Sequence, residues 1–207
     1  SEWNAKWIYA GKTPNSVFEI DFPSPVNCRY VKLDATKLGL PASTDKNYYY
    51  MQMAEMEIYS GSTNVARTAS VSANSNWNYS TIWNLNYLTD GKINDASCLG
   101  YTTPTFSNAN QHIYIIIDLK NSMNIDRIVL YPRQDDCASS GTQAANFPAS
   151  FTLQTSNDGN SYNVQYTATN MAVPAYSNSS NNVPYYGRNF TVANGKSVKR
   201  ARIYATA

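Results

Sequence analysis

Apolar residues in this chain come in short runs, continuous or alternating, and nearly every run is fenced by Gly, Pro, Asn or Ser. A period of two broken by frequent turn residues leaves no room for amphipathic helices and makes the chain all-β. The pattern predicts strands over 17–22, 29–36, 49–59, 69–73, 112–119, 126–132, 150–156, 162–169, 186–191 and 197–205. Asn157-Asp-Gly-Asn160 has the chemistry of a two-residue hairpin turn, because Asp-Gly readily takes positive φ. One helical turn is predicted at 83–88, just ahead of Asp90-Gly91. Long loops are predicted over 75–87, 100–111, 134–149 and 171–185, and loops of that length in a β domain carry function.

Charge narrows the possible partners. Only 14% of the 207 residues are charged and the net charge is +2, well under the usual quarter. Nucleic acid or an anionic membrane would call for a Lys/Arg field, so neither is expected as a partner. The one basic cluster, Lys199-Arg-Ala-Arg202, reads as the solvent face of a strand. No apolar run reaches the length of a membrane-spanning helix. In place of charge the chain carries Asn, Ser, Thr and 17 Tyr, groups that hydrogen-bond and stack on neutral ligands. The three cysteines, Cys28, Cys98 and Cys137, allow at most one internal disulfide and lack the spacing of a zinc site.

A repeat stands out: Arg29-Tyr-Val-Lys-Leu-Asp-Ala-Thr36 echoes Lys199-Arg-Ala-Arg-Ile-Tyr-Ala-Thr206. Further motifs follow in a fixed order. They are Leu88-Thr-Asp-Gly91, Ile113-Tyr-Ile-Ile-Ile-Asp-Leu119, Leu130-Tyr-Pro-Arg-Gln-Asp135 and Asn146-Phe-Pro-Ala-Ser-Phe151 running to Asn157-Asp-Gly159. In this order they resemble the discoidin family, the coagulation factor 5/8 type C domains. The closest likeness is to the carbohydrate-binding modules of bacterial α-L-rhamnosidases, whose Trp-x-Ala-x-Trp-Ile opening matches Trp3-Asn-Ala-Lys-Trp7-Ile8. The resemblance implies an antiparallel jelly-roll β-sandwich of the galactose-binding-like kind. It also implies that 29–59, with Ala54-Glu55, are strands of the type that closes such a domain. Residues 1–60 are therefore expected to form an N-terminal arm packed on a sandwich built from 61–207.

The resemblance further implies a structural calcium ion on the loop opened by Asp90. Asp90, Asp95, Ile93 and Ser97 would supply oxygens there, with Glu55 added from the Ala-Glu strand; calcium takes six to eight such oxygens. The alternative for Asp90 is a metal-free Asx-turn. Sugar is expected where the loops converge at one end of the sandwich. Arg133 would donate in a fork to vicinal hydroxyls, Asp135, Asp136 and Asn146 would accept, and Trp83, Tyr101, Phe106 and Tyr176 would offer stacking faces. The region of 77–90 contains no acid before Asp90, a departure from the rhamnose-binding relatives.

Catalysis is not expected of this chain. His112 is the sole histidine and begins an apolar strand, in a structural role. Asp135 and Asp136 are neighbours on one loop, whereas a glycosidase needs carboxylates about 5 to 10 Å apart across a cleft. The expected function is non-catalytic carbohydrate binding in a secreted, periplasmic or surface-attached protein, beside a catalytic glycoside hydrolase domain. The alternative is a protein-interaction or scaffold domain.

Overall fold

The computed structural model describes residues 8–9, 18–41, 48–78, 81–93, 95, 97–133, 145–170, 188–191 and 197–201. Its strands are β1 (Ile8–Tyr9), β2 (Phe18–Lys37), β3 (Gln52–Met53), β4 (Glu55–Ser60), β5 (Thr63–Asn64), β6 (Ser70–Ala73), β7 (Tyr101–Thr102), β8 (Ile113–Tyr131), β9 (Ser150–Ser156), β10 (Asn163–Ala168), β11 (Arg188–Thr191) and β12 (Ser197–Ala201). Among the described residues all pairings between strands are antiparallel, and the only helical elements are two short 3-10 turns, Val65–Thr68 and Leu85–Thr89. The chain is all-β, in keeping with a discoidin-like sandwich.

Two long strands organise the fold. β2 pairs with β8 from Phe18↔Leu130 to Ala35↔Ile113, with register breaks after Asp21 and after Cys28. Each strand serves two layers. The second half of β2 also pairs with β9, which carries β10, while the first half of β8 also pairs with β6. At the other end, β1 joins the start of β2, and β4 with β5 joins the last residues of β8. Phe18 from one layer meets Phe151 and Tyr166 from the other at ring-centroid distances of 5.7 and 5.8 Å, so the two inner faces close on one core.

The sequence explains this core. Along β2, Val31, Leu33 and Ala35 are fully buried, and Ile113, Ile115 and Ile117 of β8 do the same opposite them. The residues between them, such as Lys32, Asp34 and Tyr114, lie on the outer face. Period two thus separates core from solvent.

Several expected elements differ. Segments 17–22 and 29–36 are one strand, as are 112–119 and 126–132. The polar stretch at 120–124 reads as a loop, but its end remains in the ladder through Asn27↔Asn124 and Cys28↔Met123. Conversely, the expected strand 49–59 is split. Gln52 and Met53 pair with β7, whereas Glu55 onward pairs with β8, and Ala54 is the switch, its N–H bonded to the Tyr131 carbonyl at 2.8 Å. The turn after β9 is also longer than two residues. Thr155 pairs with Asn163, and Asp158 Oδ1 accepts from the backbone of Asn160 and Ser161, with Gly159 at φ 75. Residues 29–37 occupy the interior of the sheet between β8 and β9.

Candidate functional site

Backbone hydrogen bonds tie four loops together at one end of the sandwich. Asn146 N–H donates to Leu40 O at 2.8 Å and its carbonyl accepts from Gln52 N–H at 3.0 Å. Gln52 pairs with Thr102, whose carbonyl accepts from Trp77 N–H at 2.8 Å, and Tyr49 exchanges two bonds with Phe106. Beneath these loops lies a buried polar network. Gln52 Oε1 accepts from Arg133 and from Asn146 Nδ2, both at 2.6 Å, and Gln52 Nε2 donates to Thr102 Oγ1 at 3.0 Å. The Arg133 guanidinium also lies 5.5 Å from the Trp83 ring centroid.

Arg133 therefore sits where the sequence places it, at the exit of β8, but it is only 5% exposed. It faces Gln52 and Trp83 from below the loops and is not an outward fork for sugar hydroxyls. Burial of a guanidinium is tolerable because Gln52 Oε1 accepts a charge-assisted bond and an aromatic face lies alongside. Asn146 is fully buried at φ 63, and its Oδ1 has no hydrogen-bond partner among the described residues. Trp83 is 7% exposed, with its neighbours bonded to the 99–100 segment. Tyr101 is fully buried with its hydroxyl on the Ser75 carbonyl, so it anchors the loop from inside and offers no stacking face. Phe106 is half-buried against the core. Asp135, Asp136 and Tyr176 lie outside the described residues, as does Cys137. Cys28 and Cys98 are both free thiols.

The same end exposes residues that sequence reasoning did not single out. Leu40, Tyr48 and Trp77 are 61%, 56% and 43% exposed, and all three sit on the loops just described. Val164, the remaining large exposed hydrophobic residue among those described, is on β10. Gln52 was missed because it sits inside an apolar segment and reads as one polar residue of a strand. Trp77 had a legible signal, an aromatic in a long polar loop.

A second polar site lies where β4 meets the loop after the Leu85–Thr89 turn. Glu55 is fully buried; its Oε1 accepts from Gly91 N–H at 2.9 Å and its Oε2 is buried without a partner. Burial, with smaller contributions from Asp90 and Glu57, pushes this carboxyl up to about 9. Gly91 has φ 78, and a Cβ there would run into the Arg67 guanidinium. Asp90 makes the Asx-turn, Oδ1 accepting from Lys92 N–H at 2.9 Å. Asp95 is held by Ser97 and by Lys92 Nζ at 3.1 Å, and hydrogen bonds from Ser97 draw its carboxyl down to about 2. Ile93 is half-buried on the same loop. Among the described residues no three acidic, His or Cys side chains converge, so a cation beside Glu55 and Asp90 would draw its other oxygens from backbone carbonyls. His112 is exposed at the start of β8, its Nε2 2.7 Å from Asp34 Oδ1.

The profile of the F5/8 type C domain matches residues 68–206, and the chain belongs to that family. Its domains are in general modules that bind carbohydrates or other ligands, and they are typically non-catalytic. Comparison with curated proteins and with solved structures found no match.

Proposed function

We propose that this chain is a carbohydrate-binding module without catalysis of its own, serving a glycoside hydrolase of the α-L-rhamnosidase type on plant or host glycans. The observation that carries the reading is that Tyr48 and Trp77 are exposed on loops tied by backbone bonds to the segment holding the Gln52–Arg133–Asn146 network. Aromatic faces attract the polarised C–H face of a sugar ring. The network beneath fixes the loops that carry them, so binding is preorganised. Arg133 and Asn146 act as positioning residues on this reading, while Asp135 and Asp136 remain candidates for direct polar contact and Tyr176 for a stacking face. The link to rhamnosidases rests on Trp3-Asn-Ala-Lys-Trp7-Ile8 and on the order of the later motifs. That role places the protein outside the cytoplasm, as a secreted, periplasmic or surface protein.

Calcium belongs to the same reading, as a structural ion. The buried Glu55 Oε2, without a partner beside Asp90, becomes a site in need of positive charge once the carboxyl gives up its proton. A glycan array run with calcium and with EDTA tests both parts, with Trp77→Ala and Tyr48→Ala alongside wild type. Binding to plant or host glycans that both substitutions weaken is the expected result. Binding unaffected by either places the site elsewhere on the sandwich, and an array without any signal favours a protein-interaction or scaffold domain.

A further inference from the structure

The loop at Asp90-Gly91 has a positive charge laid against it from outside. Asn64 caps the Val65–Thr68 turn, its Oδ1 accepting from Ala66 N–H at 3.1 Å and from Ile58 N–H of β4 at 3.2 Å. Ala66 is fully buried, and its carbonyl accepts from Ala69 N–H at 3.0 Å. The turn is thus fixed to the strand that bears Glu55, and Arg67 leaves it from an exposed position. Its side chain reaches Gly91, where the guanidinium fills the space a Cβ would take. A residue with a side chain at 91 would push the guanidinium away, so glycine is needed there for space as well as for its φ of 78.

The same glycine holds Glu55, its N–H donating to Oε1 at 2.9 Å. Gly91 therefore touches a guanidinium and a buried carboxyl at once. The two do not bond: among the described residues Arg67 makes no ion pair, and Glu55 Oε2 has no partner. A permanent cation and an unpartnered carboxyl oxygen share one neighbour and leave each other free.

On the calcium reading given above, Glu55 and Asp90 would hold the ion, and the guanidinium at Gly91 would be a like charge beside it. Like charges this close repel strongly where water is partly excluded. Arginine stays charged at every working pH, so no loss of a proton relieves the conflict. Movement of the side chain is the remaining way out. Arg67 is exposed, so swinging it into solvent opens no cavity in the core.

We propose that Arg67 is a built-in competitor for calcium: the guanidinium and the ion occupy the neighbourhood of Glu55 and Gly91 in turn, and calcium binds by displacing the side chain. The proposal rests on the calcium reading and adds to it a residue outside the ligand set that lowers the affinity.

Titration calorimetry of the full chain with calcium chloride, in buffer freed of metal beforehand, compares wild type with Arg67→Gln, Arg67→Met and Arg67→Lys. The first two remove the charge and keep a long side chain; both should bind calcium more tightly than wild type, by about tenfold or more. Arg67→Lys keeps the charge and should stay within about threefold of wild type. Circular dichroism without calcium checks that each variant folds, and two neutral variants guard against the failure of one. If wild type binds calcium and a folded neutral variant binds it no more tightly, the proposal is overturned and the calcium reading stands. It is also overturned if Arg67→Lys tightens binding as much as Arg67→Gln, because charge is then not what competes. If neither wild type nor the neutral variants bind calcium, the proposal and the calcium reading fall together.

Discussion

Consider the Glu55 carboxyl in the absence of any cation. Its ordinary value is 4.5, and in the folded protein it is raised to about 9. Between those values the folded chain keeps a proton that the unfolded chain has released. The unfolded state therefore binds fewer protons, and stability falls as pH rises, by about 1.4 kcal/mol per pH unit. Full stability is present below the unfolded value and is lost progressively toward pH 9. From pH 5 to pH 8 the loss is about 4 kcal/mol, a large share of the roughly 5–15 kcal/mol that holds a domain folded. At about 2–4 °C per kcal/mol for a chain of this size, the melting temperature in EDTA should drop by roughly 10 °C over that range. Other groups titrate as well, so the quantity to measure is the difference between wild type and Glu55→Gln. The amide can still accept from Gly91 but has no proton to lose. Calcium should reverse the loss, because it binds the ionised form: at about 100 times its dissociation constant it returns about 2.7 kcal/mol. Its affinity should rise with pH as proton and cation compete. If wild type and Glu55→Gln show the same pH slope in EDTA, the carboxyl does not carry its proton into the fold. If calcium leaves the wild-type curve at pH 8 unmoved, no cation site exists there.

Arg133→Ala should cost about 3 kcal/mol of stability in a denaturant titration, because Gln52 Oε1 loses a charge-assisted bond and Trp83 loses the cation beside it; a cost within about 0.5 kcal/mol, as for a surface site, would contradict its burial. Trp77→Ala should weaken glycan binding at least tenfold in titration calorimetry, while shifting stability by no more than about 0.5 kcal/mol. Acid should destabilise the fold in a window set by Asp118 and Asp158, both held near 2, Asp118 by Arg29 and Asp158 by the backbone of Ser161 and Asn160. The stability they contribute is present above the usual carboxylate range and is lost as pH falls toward 2; Asp118→Asn should flatten the acid limb of melting temperature against pH.

The fold class was legible because period two is imposed by the pleat itself, and Val31-Lys-Leu-Asp-Ala35 shows it without ambiguity. Strand continuity was not. Whether Lys120–Asn124 bends within a strand or ends it depends on the partner at Asn27 and Cys28, nearly a hundred residues away. The candidate site divides along the same line. Arg133 and Asn146 could be picked out because Arg and Asn at a strand exit and a loop end are chemically conspicuous. Their burial could not, since it comes from Gln52, a residue brought to them by the change of partner at Ala54. Tyr101 misled for the opposite reason. A tyrosine in a long polar loop looks solvent-facing until Ser75 supplies a carbonyl for its hydroxyl inside the core.

The placement of β2 also sets an order of events at birth. Its contacts are remote: Glu19 meets Arg127 across 108 residues, and Asp34 meets Gln154 across 120. At synthesis rates of roughly 5–20 residues per second, β2 waits on the order of ten seconds for partners that have not yet been made. Closing such distant contacts is slow even for the finished chain. Throughout that interval Val31, Leu33 and Ala35 have no sheet to cover them. Whatever shields this segment on the ribosome, or in transit afterwards, therefore has a large influence on the yield of folded protein.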